Sequence, residues 1–189
     1  GGTGLGKPLK SITHPRRPDI PVYLGAEGPK NVALAAEIAD GWLPIFLSPE
    51  RFDDMYADSL ADAPPDFDVC APVHVVVDDD VATALLAVKW MLAFYIGGMG
   101  ASKANFHKDL IGRAGFAEEA TEVQRRFLAG DREGAVAAVP DALADEIALC
   151  GPAGRIRERL QRWVDSPVTN LLVMGRDPAA LQVVADALA

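Results

Sequence analysis

The chain has 189 residues, of which 50% are hydrophobic and 24% charged, so its composition is that of one folded globular domain. Its 27 acidic and 18 basic side chains give a net charge of −9. A chain this acidic lacks the basic surface that a nucleic-acid backbone requires, which excludes nucleic acid as the expected partner.

The cysteine spacing and the hydrophobic runs argue against a disulfide-linked, a metal-binding or a membrane protein. Cys70 and Cys150 stand far apart with no second Cys or His at zinc spacing, which excludes a disulfide framework and a metal motif and suits a reducing cytoplasm. The longest near-apolar run, residues 90–101, is well short of the roughly 20 residues that span a bilayer, so no membrane contact is expected. The chain starts at Gly1 and its first methionine is Met55, from which we expect that upstream residues have been removed.

The first half of the chain shows a repeated strand-then-helix pattern. Residues 1–20 are rich in Gly, Pro and basic groups and predict an extended linker ahead of a domain over residues 21–189. The segment DIPVYLGAEG predicts a strand, PKNVALAAEIADG a helix, WLPIF a second strand and SPERFDDMYADSLADA a second helix. FDVCAPVHVVVD predicts a third strand.

The second half is mainly helical before one more strand. A long helical pattern covers residues 79–96, and a helical insertion is predicted at about 97–150, ending in the helical pattern PDALADEIALCG. GPAGRIRERLQRWVDS is an amphipathic helix, VTNLLVMG a fourth strand and DPAALQVVADALA a terminal helix. Apolar strands alternating with helices predict a parallel sheet and an α/β fold, either a small open sheet or part of a barrel.

The segment GAEGPK, residues 25–30, is the first candidate site. Two glycines allow a sharp turn with backbone amides close to a ligand, and Pro29 begins a helix whose unpaired N–H groups attract anions. Lys30 would add positive charge, while Glu27 opposes it unless its side chain points outward. The alternative is an ordinary strand-to-helix turn, which favours the same residue types.

Other patterns favour structural explanations. The glycines of residues 1–7 resemble a phosphate loop, but Pro8 replaces the required Ser or Thr and no strand precedes them, which favours a linker. His74 either points into a barrel interior or packs between sheet and helix, which is commoner. Residues 78–80 and 150–154 are typical of helix caps, the latter without a clear strand before it. No nucleophile, acid–base or metal motif is found, so the catalytic residues stay unknown.

Two segments, residues 18–46 and 151–175, together carry a family resemblance. The order Pro-Ile-Pro-Val-Tyr, Gly-Ala-Glu-Gly-Pro, helix and Asp-Gly-Trp, followed by the distal GPAGRIRERLQRWVDSPVTNLLVMG, resembles the luciferase-like monooxygenase superfamily and most closely its coenzyme F420-dependent oxidoreductases. The resemblance implies a (βα)₈ TIM barrel of the bacterial-luciferase type. It also implies that this chain is only the C-terminal half, about four βα units plus the helical insertion.

The resemblance implies a cofactor site as well. The cofactor phosphate would be surrounded by the loop after the first strand and by the second strand's end: Gly25, Ala26, Glu27, Gly28, Leu43, Pro44 and Ile45. The implied cofactor is F420, with FMN as the alternative, and the implied reaction is hydride transfer between the deazaflavin and a small organic substrate. Residues 90–115 would supply a substrate wall, and the catalytic residues would belong to the absent N-terminal half.

The implied half-barrel also predicts a protein partner. Half of a barrel exposes strand edges and an apolar inner face, so we expect a dimer or pairing with the N-terminal half. A hypothesis from another class is a catalytically silent α/β module that associates with itself.

Overall fold

The computed structural model describes residues 6, 12–14, 16–17, 19–101, 104–175 and 177–189. Most of the predicted linker over residues 1–20, including nearly all of the glycine-rich start, lies outside the described residues. Within the described residues, strands and helices alternate and form the predicted α/β arrangement with a parallel sheet.

The described strands are β1 (Tyr23–Gly25), β2 (Gly41–Leu43), β3 (Asp68–Val77), β4 (Ala148–Gly151) and β5 (Asn170–Met174). The described α-helices are α1 (Pro29–Ile38), α2 (Phe52–Leu60), α3 (Val81–Gly98), α4 (Phe106–Ile111), α5 (Ala117–Leu128), α6 (Arg132–Ala137), α7 (Asp141–Glu146), α8 (Ala153–Val164) and α9 (Pro178–Leu188). A 3₁₀ turn at Pro49–Arg51 precedes α2, and a π-helical turn at Gly112–Phe116 joins α4 to α5.

Strand β3 organises the sheet. β1 pairs with β2, and β2 pairs with the start of β3, all in parallel. Further along β3, His74 pairs with Ala148 of β4 and with Met174 of β5, so β4 and β5 lie on opposite edges of β3 there. The carboxyl ends of β1 and β2 are therefore neighbours, which brings the two segments of the predicted site together.

Each face of β3 packs against a different set of helices. Val69, Ala71, Val73 and Val75 lie in one core together with Trp42 and with side chains of α1, α2, α8 and α9. On the opposite face, Val76 packs against a second core formed mainly by α3, α5, α6 and α7. The period of two along β3 thus separates two layers of helices.

The structure of the segment before α8 differs from the sequence prediction. PDALADEIALCG does not form one helix, because α7 ends at Glu146 and β4 begins at Ala148. The expectation that no strand precedes CGPAG was wrong, and the described residues contain five strands instead of four. Leu149 faces one core while Ala148 and Cys150 face the other. A short strand that is buried on both faces has no polar period to distinguish it from a buried helix.

Helix α3 is longer than the apolar run at residues 90–101 indicated. By length and composition it could cross a membrane, with a mean hydropathy of 1.6, although 39% of it is buried. Its buried side packs in the second core, and Lys89 Nζ lies 2.7 Å from Asp141 Oδ1 of α7. A core helix passes the same test of length and composition, and this packing favours that interpretation.

Gly41 of β2 lies close to side chains of the two neighbouring strands, β1 and β3. A Cβ at this position would overlap the Tyr23 ring and lie 2.9 Å from Asp68 Cβ. We expect Gly41→Ala to lower the free energy of unfolding by about 1–3 kcal/mol, because added volume in a packed sheet forces a shift. Urea unfolding would measure this change. Gly154→Ala is the control, since a Cβ at Gly154 in α8 meets nothing within 4 Å; equal stability of the two variants would contradict the prediction.

Asp68 at the start of β3 gives a pH prediction. Its carboxylate accepts hydrogen bonds from Tyr23 Oη at 2.5 Å, Thr169 Oγ1 at 2.9 Å and Asn170 Nδ2 at 3.1 Å, and these bonds, Tyr23's first, lower the pKa of Asp68. A lowered folded pKa adds stability above the unfolded pKa of about 4 that is lost as the pH falls through the folded pKa. We therefore expect Tyr23→Phe to lose less stability on acidification than the parent chain.

Urea midpoints measured at neutral pH and below pH 4 would test this expectation. Tyr56→Phe is the matched control, because the Tyr56 hydroxyl donates none of the three hydrogen bonds that Asp68 accepts. Burial raises the pKa of Tyr56 to about 12. If Tyr23→Phe loses as much stability on acidification as the parent chain, the hydrogen bond from Tyr23 does not set the pKa of Asp68.

Candidate functional site

The loop after β1 leads directly into α1. Gly28 is the N-cap of α1, with extended φ/ψ of −86° and 147°, and Pro29 occupies the first turn. No side chain caps this end, and the first turn holds no acidic residue. The amide end of a ten-residue helix therefore faces the loop without a side-chain oxygen on it, which suits an anion.

Trp42 of β2 holds the loop after β1 in position. Its indole Nε1 donates a hydrogen bond of 2.8 Å to the carbonyl of Ala26, and its side chain is fully buried. The rings of Phe52 and Tyr56 pack against it, with centroid distances of 6.5 and 4.7 Å. A buried donor with no alternative partner holds the loop carbonyl in one position, so β2 sets the shape of the β1 loop.

The structure brings most of the predicted site residues around one cavity of about 520 Å³. Six of the seven predicted residues line it: Gly25, Ala26, Glu27, Gly28, Leu43 and Ile45. Pro44 does not line the cavity. Asn31, from the first turn of α1, and Phe106, from α4, complete the lining. Phe106 falls within the predicted wall at residues 90–115 and is 75% exposed. That these residues bind a cofactor stays a prediction.

Glu27 does not point freely into solvent. Its Oε1 lies 2.9 Å from His107 Nδ1, as an ion pair without the alignment of a hydrogen bond, and its backbone carbonyl accepts a bond of 2.7 Å from Arg113 Nη2. Burial raises the pKa of Glu27, while His107 and Arg113 act in the opposite direction. Lys30, considered as a cation for the site, is exposed and is not part of the cavity lining.

An aromatic cluster supports His107 from the other side. The ring of His107 lies 4.8 Å from that of Tyr95 and 6.1 Å from that of Phe46, both edge-on. Phe46 has a positive φ of 52°, a conformation that costs a non-glycine residue energy. The chain after β2 thus adopts a strained backbone conformation that places the Phe46 ring against Tyr95 of α3 and His107 of α4.

Four residues at or beside the cavity were not named individually by the sequence analysis. Asn31 follows Gly28 by three positions and was recoverable from the helix start. Phe106, His107 and Arg113 fall within the predicted wall at residues 90–115, but the weak periodicity of that segment did not indicate which of its residues reach the loop.

The remaining sequence candidates have structural roles. His74 is half-buried on β3, and burial lowers its pKa; it does not line the cavity. Asp80 caps α3 by accepting a bond of 3.0 Å from the Ala82 amide, which confirms the cap at residues 78–80. Among the described residues, no group of three or more His, Cys, Asp or Glu side chains could hold a metal ion.

Comparisons with known proteins identify the family of this chain. Residues 6–170 match the family model described as luciferase-like monooxygenase. A protein of Mycobacterium tuberculosis, provisionally named a coenzyme F420-dependent oxidoreductase, is 46% identical over 96% of this chain and 56% of its own length. The 5,10-methylenetetrahydromethanopterin reductase of Methanolobus tindarius is 28% identical over 82% of this chain and 48% of its own length. The chain therefore spans about half the length of the curated relatives it matches.

Solved structures show the same fold. The coenzyme F420-dependent tetrahydromethanopterin reductase of Methanopyrus kandleri superposes with a TM-score of 0.65 at 24% identity, over 89% of this chain and 50% of that one. An F420-dependent secondary alcohol dehydrogenase gives a TM-score of 0.63 at 15% identity, over 92% of this chain and 48% of that one. These likenesses confirm the predicted α/β TIM-barrel class over about half of each neighbour. With the family match across residues 6–170, they show that this chain belongs to the luciferase-like monooxygenase family.

Proposed function

We propose that the protein to which this chain belongs is an F420-dependent oxidoreductase that transfers a hydride between the deazaflavin and a small organic substrate. The relatives named above support the cofactor, since both the M. tuberculosis protein and the two solved structures carry F420 in their names. The deazaflavin would supply the hydride chemistry itself. The chain's own residues would bind, orient and shield it.

The role proposed for this chain is to hold the phosphate of the cofactor. The observation that carries the proposal is the cavity of about 520 Å³ that is lined by the β1 loop, the end of β2 and the first turn of α1. In parallel α/β barrels ligands bind at the carboxyl ends of strands, and phosphates bind at helix N-termini. Phe106, exposed at the rim, would form an apolar wall against the remainder of the ligand or the substrate.

The backbone N–H groups of residues 25–28 would donate hydrogen bonds to the phosphate oxygens, and Leu43 and Ile45 would form the apolar floor of the cavity. The indole of Trp42 holds the Ala26 carbonyl away from the anion, so the loop need not reorganise when the ligand binds. Phosphate binding alone does not distinguish F420 from FMN, because both carry this group. The two cofactors are therefore compared directly in the test.

Asn31→Asp tests the phosphate site with almost no change in shape. Asn31 lines the cavity from the first turn of α1, and a carboxylate there would repel the anion. We expect this variant to bind F420 and inorganic phosphate about ten-fold more weakly than the parent chain. Titrations followed by F420 fluorescence and by the indole N–H resonance of Trp42 would measure both affinities, with FMN titrated in parallel.

Lys30→Gln is the neighbouring control, since Lys30 does not line the cavity and its loss should leave phosphate affinity nearly unchanged. Equal weakening in the two variants would mean that only general charge matters. Tighter binding of FMN than of F420 by the parent chain would reverse the cofactor assignment.

The inner face of the sheet supports the second half of the proposal, a protein partner. Leu171 and Val173 of β5 pack against the helix-covered core. Leu172 and Met174, which alternate with them, are 41% and 49% exposed. We propose that this face pairs with the N-terminal half of the barrel or, in the chain alone, with a second copy.

Replacing both Leu172 and Met174 by Lys should abolish self-association of the chain, because it places charge on the exposed apolar strand face. Sedimentation velocity over a range of concentrations would measure this. Leu181→Lys is the control: Leu181 is 53% exposed on α9, on the helix-covered side, and should leave association unchanged. Association that survives the double change would place the contact elsewhere.

A further inference from the structure

A carboxylate stands in the middle of the proposed phosphate loop. Glu27 lies between Ala26 and Gly28 and lines the same cavity. An ionised carboxylate beside a dianion opposes its binding, and it does so more strongly in a partly buried site than in water. A loop that binds anions despite Glu27 therefore requires a positive charge near that side chain. This reasoning rests on the function proposed above.

The helical insertion supplies groups that can provide this charge. His107 Nδ1 of α4 lies 2.9 Å from Glu27 Oε1, and both side chains are largely buried, at 16% and 21% exposure. From the π-helical turn, Arg113 holds the Glu27 carbonyl at 2.7 Å. From α2, Tyr56 faces the same carboxylate and stays neutral, because burial raises its pKa to about 12. His107 carries a positive charge only when it is protonated, whereas Arg113 is always charged.

The pair has unused hydrogen-bonding capacity. Glu27 Oε2 and His107 Nδ1 are both buried without a hydrogen-bond partner. Buried polar atoms in native proteins are nearly always satisfied, so the unsatisfied Oε2 of Glu27, a residue that lines the cavity, needs an explanation beyond holding two segments together. A proton and a bound ligand would both change the state of these atoms.

We propose that Glu27 and His107 form a charge-compensating pair that sets the affinity of the β1 loop for an anion. With His107 protonated, the pair is neutral and the amides of residues 25–28 can bind the anion. With His107 deprotonated, Arg113 is the remaining positive charge beside the carboxylate, and the anion is bound more weakly. His107 is a positioning residue here, because it acts on the ligand through Glu27.

Thermodynamic linkage follows from this arrangement. If protonation of the pair favours the anion, then binding the anion must favour protonation by the same factor. Anion binding near neutral pH is therefore accompanied by proton uptake, and affinity rises as the pH falls. A purely structural ion pair between α4 and the loop would leave both quantities unchanged.

Sulfate is the probe, because it keeps its double charge between about pH 5.5 and 8.5, the range in which histidine titrates. Calorimetric titration of the 189-residue chain in two buffers of different ionisation enthalpy would give the affinity and the protons taken up. His107→Phe keeps an aromatic ring against Tyr95 and Phe46 but removes the charge. We expect it to weaken sulfate binding about ten-fold near pH 7.

The double variant isolates the coupling. Glu27→Gln alone should bind sulfate at least as well as the parent chain, and adding His107→Phe should then change affinity less than about two-fold, because a histidine without an anionic neighbour is mostly neutral above pH 7. Glu37→Gln on α1, exposed and outside the cavity lining, is the control for net charge and should keep the proton uptake.

Two failures are distinguishable. Sulfate binding without proton uptake, or equal weakening by Glu27→Gln and His107→Phe, would overturn the charge-compensating pair while leaving the phosphate loop intact. Absence of sulfate, phosphate and F420 binding in the parent chain and every variant would overturn the phosphate loop and the pair together.

Discussion

The hydrogen bond from the Trp42 indole to the Ala26 carbonyl joins the two segments on which the site depends. It connects the loop after β1 to the strand that follows α1, and it is made by a fully buried side chain. Breaking it would leave a buried N–H and a loop carbonyl unpaired, at a cost of about 1–3 kcal/mol. The bond occupies the carbonyl of Ala26 and none of the backbone N–H groups that we propose for the anion. The packing of one tryptophan thus fixes the conformation of the loop that lines the cavity.

The helical insertion is attached to this corner by charged groups. Arg51, in the 3₁₀ turn before α2, binds both oxygens of Glu146 in α7 at 2.6 and 2.8 Å, and its guanidinium lies 5.1 Å from the centroid of the Phe116 ring. Together with the Glu27 contacts, these interactions connect the β1 and β2 loops to segments far along the chain. Bidentate arginine pairs fix geometry as well as adding energy. The insertion can therefore form one wall of the cavity and influence its charge without contributing a strand at that point.

Features of the fold and the site that depend on adjacent residues were predictable from the sequence, whereas features that depend on residues far apart in the chain were not. The β1 loop and α1 follow from adjacent residues, Gly25 to Pro29, so the local sequence predicted the turn and the helix, whereas the family resemblance implied six of the cavity residues. β4 was missed because a four-residue strand buried on two faces lacks polar alternation. The contact of Glu27 with His107 was beyond prediction, because it joins a turn to a helix in an irregular segment and depends on how the two cores pack.

A second Gly-Pro helix start in the same chain shows why the local pattern alone does not make a site. At Gly151, which has φ of 118°, the chain also passes from a strand through a proline into a helix, α8. There Arg155 turns back, donating to the Cys150 carbonyl at 2.6 Å and pairing with Asp145 at 2.8 Å. The guanidinium of Arg155 and the carboxylate of Asp145 pair with each other at this corner, although no side chain caps α8. At Gly28 no side chain returns to the helix end, and the nearest acid is engaged by a histidine instead. Two similar turns therefore differ in the side chains that fold back onto them, and the turn at Gly28 is the one that we propose as an anion site.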